Sequence, residues 1–133
     1  MHPRLAEEWP DILDLHPAAR HQAAPDRIET IIELPPGMYS MPRTAVAVLI
    51  PPGYRTTALD GFLIPAGLTL AGPAAMPVSD GSSLGMSEWS LVSFHYVDVA
   101  GQSTWRASAD SRRGDNVVHY LASVEAFLAG GCV

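Results

Sequence analysis

Three apolar runs in this chain are short, and each is shut by proline or glycine. Arg27–Leu34 reads Arg-Ile-Glu-Thr-Ile-Ile-Glu-Leu and stops at Pro35-Pro36-Gly37. Thr44–Ile50 stops at Pro51-Pro52-Gly53-Tyr54, and Gly61–Ile64 stops at Pro65. Proline lacks the N–H that a helix interior or a central ladder needs, and its φ is locked. Glycine opens the turn conformations that other residues avoid. Short β-branched runs between such stops suit strands, and Val46, Val48 and Ile50 share one face of an extended run. Twelve prolines and eleven glycines in 133 residues keep up this punctuation along the chain. The pattern favours an antiparallel meander over a helical bundle.

A fourth strand is expected over Trp89–Val97. Between it and the third run, residues 65–88 carry Gly67, Gly72, Pro73, Pro77, Gly81 and Gly85 with no periodicity. A loop of that length in a small domain is functional or poorly ordered. Helical patterns flank the strands. Residues 1–26 form an N-terminal helical segment in which Leu5, Trp9, Ile12, Leu13 and Leu15 make a rough stripe. Pro10 interrupts it, which predicts a short, broken helix, and Ala18–Ala24 has room for one or two turns. Near the other end, Val117, Val118, Leu121, Val124 and Leu128 recur at three- and four-residue steps. Asp115 or Asn116 is the expected cap, and Gly130-Gly131 the stop. The fold class is therefore α+β: about four antiparallel strands over residues 27–129, flanking helices, a C-terminal helix and a short 130–133 tail. Cys132 falls in that tail, where chain ends fray.

Composition removes several chemistries. The formal net charge is -6, and all eight basic residues are arginine. Without lysine there is no Schiff-base chemistry and no Walker-type phosphate loop. One cysteine excludes a disulfide framework and a Cys-rich zinc site. An acidic chain with scattered arginines has no basic stripe for nucleic acid. No apolar run approaches the ~18–20 residues that span a bilayer. With its polar start and lone cysteine, the chain reads as cytoplasmic. His2, His16 and His21 show no ligand spacing, so neither a metal nor another cofactor is expected. Trp89 and Trp105 read as core anchors, Tyr54 as packing its turn against the sheet, and Arg112-Arg113 as a solvated turn. His119 sits on the edge of the last helix.

The order of these pieces resembles the ubiquitin-conjugating-enzyme (UBC-like) fold, and more narrowly the bacterial group known as prokaryotic family E. The residues that carry the resemblance are Leu34-Pro-Pro-Gly37, the Thr44–Ile50 strand, Pro51-Pro-Gly-Tyr54, Asp60-Gly-Phe62, Trp89-x-x-x-Ser93-x-His95 and Trp105, within residues 27–128. The resemblance implies a meander with flanking helices. Its implied partners are a ubiquitin-like modifier, an adenylating activating enzyme and a metallopeptidase of the same operon, in a bacterial pathway of which some versions serve phage defence. Those enzymes carry the modifier as a thioester on a cysteine between the meander and the Trp-bearing segment. Here residues 65–104 hold no cysteine, no His-Pro-Asn precedes them, and Cys132 lies far from the expected position.

Ser93 and His95 are the candidate replacement. Residues two apart on a strand share a face, and an imidazole beside a serine hydroxyl takes its proton. Ser93 would then hold the modifier's C-terminus as an oxyester. Asp98 would orient His95 only if a bulge turned it to the same face. Amides of the glycine-rich loop would serve as oxyanion donors. The alternative is a catalytically inactive UBC-like module that binds the modifier or its activating enzyme.

Overall fold

The computed structural model describes residues 1–133. Its elements in chain order are α1 (Pro3–Leu15), β1 (Arg20–Gln22), β2 (Arg27–Glu33), β3 (Arg43–Leu49), β4 (Phe62–Pro65), β5 (Val78–Asp80), a 3-10 turn (Gly81–Leu84), β6 (Trp89–Val92) and α2 (Val117–Ala129). The fold is α+β. Its six strands, more than the four expected, form one sheet in the order β1-β2-β3-β4-β6-β5, and every pairing is antiparallel. The two extra strands are short edge pieces of three residues each. They lack the apolar run that marks a central strand, so they escaped the pattern. β1 falls where helical turns were expected.

One sheet face builds the main core. Ile28 and Ile32 of β2, Val46 and Val48 of β3, Phe62 and Ile64 of β4 and Val92 of β6 pack there with Leu5 and Ile12 of α1 and Tyr120, Leu121, Val124 and Leu128 of α2. Burying a side chain of that size contributes about 1.5–3 kcal/mol each. The opposite face is covered in part by the 65–88 segment, whose Met86 packs on Ala47 and Leu63 beside Leu49, Leu84, Trp89 and Leu91. That segment is thus structured, and its task here is to cover apolar sheet. Trp105 is a buried core residue, whereas Trp89 is half-buried against this second cluster.

α1 runs unbroken through Pro10. The bond that Pro10 cannot donate would go to Ala6, and both residues are exposed, so water can satisfy the freed carbonyl. Leu5, Glu8 and Ile12 make the buried stripe instead. Glu8 is the polar centre of the fold, only 1% exposed. Its carboxylate accepts from Arg4 Nε at 2.8 Å, Tyr54 Oη at 2.7 Å and the Val117 amide at 2.8 Å. Arg4 Nη1 in turn donates to the carbonyls of Ser108 and Ala109. The network ties α1 to the Pro-Pro-Gly-Tyr turn and to the first turn of α2, where a negative charge suits the helix dipole. Tyr54 therefore packs its turn against a helix carboxylate. Burial, followed by the Glu8 charge, pushes its phenol above the ordinary tyrosine value.

α2 is capped by Asn116, whose Oδ1 accepts from the His119 amide at 2.9 Å, and Gly130 ends it. The tail after it is held at Cys132, with Val133 exposed. Cys132 is 7% exposed, within the main core, and its Sγ lies 3.6 Å from Tyr39 Oη. Tyr39 Oη donates to the Leu128 carbonyl at 2.6 Å, which docks the chain end. Burial, then the hydrogen bond and charge of Cys132, raise the Tyr39 phenol as well.

Candidate functional site

β6 ends at Val92, shorter than the expected Trp89–Val97 strand, and beyond it the chain leaves the ladder, with one isolated bridge from Val97 to Ser103. The alternation nonetheless persists. Phe94 and Tyr96 turn inward onto the core, while Ser93 and His95 are exposed. Ser93 Oγ lies 3.1 Å from His95 Nε2. On the other side of the ring, His95 Nδ1 contacts Asp60 Oδ1.

Three side chains from two segments thus form one line. A carboxylate only accepts, so Nδ1 carries the proton and donates to Asp60. With the ring in that tautomer Nε2 is a lone-pair acceptor, and the Ser93 hydroxyl 3.1 Å away can donate to it. That polarity is the one a serine nucleophile requires: hydroxyl to base, base to an orienting carboxylate. The site is open, with the His95 and Asp60 side chains 47% and 68% exposed.

Asp60 was not among the expected site residues, and its place depends on a local irregularity. In the β4–β6 ladder Phe62 faces Val92 and Leu63 faces Leu91. In an unbroken register the Gly61 amide would face Ser93 in a non-hydrogen-bonded pair and donate nothing to that strand, because Ala66 donates to Glu88 and bonded pairs fall at every second position. It donates instead to the Phe94 carbonyl at 3.0 Å. Gly61 has φ +72, and a Cβ there would sit 3.0 Å from the Val92 carbonyl. Between the Phe62–Val92 pair and the Gly61–Phe94 bond the Ser93 strand carries one extra residue, a slip in register with the glycine opposite it. The slip by one places Asp60 across from His95 and on its face. The extra residue lies on the Ser93 strand itself, and the slip it makes serves Asp60 and not Asp98. Asp98 instead caps its own turn, its carboxylate accepting from the amides of Ala100 and Gln102.

Tyr120 of α2 lies beneath this crossing. Its hydroxyl is 3.0 Å from the Gly61 carbonyl and 2.9 Å from the Phe94 carbonyl. Burial, then the nearby Asp60 charge, pushes the phenol above its ordinary value. A groove of about 490 Å³ borders the site, walled by Leu49, Ile50, Pro51, Pro52 and Ala58 and lined also by Asp26 and Asp60.

Other residues singled out from the sequence lie elsewhere. The Gly81–Leu84 turn follows β5, whose Asp80 faces Ser90. Gly81 is thereby some four residues, roughly 13 Å, along the strand from Ser93, so its amides are not oxyanion donors for Ser93. His2 caps α1 by accepting from the Arg4 amide. His21 pairs with Asp26, and His119 is exposed on α2. Arg112 and Arg113 are exposed and pair with Asp11 and Asp110 at 3.7 and 3.6 Å. No group of three or more His, Cys, Asp or Glu side chains is placed to hold a metal ion. No helix is long and apolar enough to cross a membrane. No family model, curated protein or solved structure matches the chain.

Proposed function

We propose that this protein is a UBC-like acyl carrier and transferase. It takes the C-terminus of a ubiquitin-like modifier from an adenylating activating enzyme and holds it as an ester on Ser93. The observation that carries the reading is the continuous Ser93–His95–Asp60 line, in a chain whose one cysteine is buried against Tyr39 beyond the end of α2. The order of motifs resembling the family supports the choice of acyl donor. So does the openness of the site, which suits a donor that is itself a protein.

In the loading step, Ser93 Oγ attacks the carbonyl carbon of the modifier's activated C-terminus, a thioester or acyl adenylate on the activating enzyme. The hydroxyl proton passes to His95 Nε2. Asp60 keeps the ring oriented through Nδ1–H and stabilises the imidazolium. Collapse of the tetrahedral adduct forms the Ser93 ester and releases the thiol, reprotonated by His95, or AMP. In the second step an acceptor nucleophile attacks the ester, its proton passes to His95 Nε2, and His95 returns that proton to the leaving Ser93 oxygen.

The test is incubation with ATP and any adenylating enzyme and ubiquitin-like protein found encoded beside its gene. An adduct that hydroxylamine cleaves, that reducing thiols leave intact and that Ser93→Ala abolishes is expected. Asp60→Asn should slow loading by roughly 10²- to 10⁴-fold. Lack of such neighbouring genes, or an adduct unchanged in Ser93→Ala, overturns the reading. Retained pathway function in Ser93→Ala would favour the inactive binding module.

A further inference from the structure

We infer that Tyr120 is a positioning residue for this site: its one hydroxyl clamps the two segments that carry Asp60 on one side and Ser93 and His95 on the other. The inference rests on the reading of Ser93, His95 and Asp60 as a reactive line. A buried phenol needs a hydrogen-bond partner, and here both available acceptors belong to the site's own backbone. The Gly61 carbonyl, 3.0 Å away, follows Asp60 directly, and the Phe94 carbonyl, 2.9 Å away, lies between Ser93 and His95. The Phe94 carbonyl also takes the Gly61 amide, the bond that defines the bulge. The slip in register that brings Asp60 to His95 and the Tyr120 hydroxyl therefore converge on one oxygen.

The ring supports the same segment from below. Its centroid lies 5.6 Å from those of Phe94 and Tyr96, the residues that alternate with Ser93 and His95. Tyr120 is fully buried on α2, and its hydroxyl bonds backbone carbonyls and none of the three reactive side chains. It acts through backbone placement, its single hydroxyl proton shared between the two carbonyls, and rate in such a line is sensitive to displacements of about 1 Å.

The experiment compares Tyr120→Phe with Tyr39→Phe. Both remove a buried phenol hydroxyl bonded to a main-chain carbonyl, but Tyr39 serves Leu128, away from the site. Two readouts are taken: the rate at which a fluorophosphonate labels Ser93, and the imidazole ¹⁵N shifts of His95, which report the tautomer. Tyr120→Phe should slow labelling by roughly 10- to 100-fold and move His95 away from a pure Nδ1–H tautomer. Tyr39→Phe should leave both as in the native protein. Replacing Tyr120 by 4-aminophenylalanine, which keeps a donor for both carbonyls, should restore both readouts; this variant also decides the matter if Tyr120→Phe is too unstable to isolate. Equal behaviour of the two phenylalanine variants, or loss of both readouts in the 4-aminophenylalanine protein, overturns the assignment. A native Ser93 that ignores the reagent while the nitrogen shifts still respond to Tyr120→Phe would sink the acyl-transfer reading and leave the positioning role standing.

Discussion

Raising the pH should unfold this protein through its tyrosines. The chain has no lysine, so the ammonium groups that usually titrate beside phenols are missing, and the arginines stay charged throughout. Burial raises all four tyrosines above their ordinary value of 10.0. Tyr39, Tyr54 and Tyr120 are at most 6% exposed; Tyr96 is half-buried and is left out of the magnitude. A group whose folded value is raised contributes stability that is complete below its unfolded value. That stability fades as pH climbs toward the folded value, because only the unfolded chain releases the proton. Each fully buried phenol removes about 1.4 kcal/mol per pH unit in this window. Three of them remove roughly 4 kcal/mol by about pH 11 and roughly 8 kcal/mol by about pH 12. A domain with an ordinary stability of about 5–15 kcal/mol loses most of it there. The assay is urea denaturation at a series of pH values, with tyrosinate absorbance followed in parallel. The denaturation midpoint should be flat to about pH 9.5 and then fall steeply at constant m-value, and tyrosinate should appear together with unfolding. Three phenols that titrate reversibly near pH 10 in the folded protein would refute the burial argument.

Other outcomes follow from single side chains. Glu8→Ala strands the buried Arg4 guanidinium, the Tyr54 hydroxyl and the Val117 amide, and should cost about 3–5 kcal/mol by chemical denaturation. Gly61→Ala forces a Cβ into φ +72 against the Val92 carbonyl; it should cost about 1–2 kcal/mol and also slow Ser93 chemistry, because the bulge that brings Asp60 to His95 is strained. The Cys132 thiol should resist alkylation in the folded protein, at least about 100-fold slower than in urea, because reaching it requires undocking the chain end.

The strands with apolar runs were readable because proline and glycine bracket them, and α2 because its stripe, Asn116 cap and glycine stop agree. The edge strands were not, since Arg20–Gln22 and Val78–Asp80 carry no pattern and form only by pairing with a neighbour. Pro10 misled because its lost bond falls at an exposed turn, where solvent replaces it. Cys132 misled because its burial depends on Tyr39, far away in sequence. Ser93 and His95 could be paired from their spacing of two, which needs only an extended backbone. Asp60 could not, since its placement requires a register slip in the strand opposite. The one signal was the Asp60-Gly61 step before an apolar run, where glycine in a strand marks a bulge.

Whether Ser93 is a nucleophile, with His95 as its base and Asp60 behind the ring, can be read from one labelling experiment. A fluorophosphonate is added to the native protein and the modified residue is identified by peptide mass spectrometry. Labelling confined to Ser93, abolished in Ser93→Ala and at least about 100-fold slower in His95→Ala and Asp60→Asn, is the predicted result. A native Ser93 that stays unmodified, or that labels at the same rate when His95 or Asp60 is replaced, would contradict it.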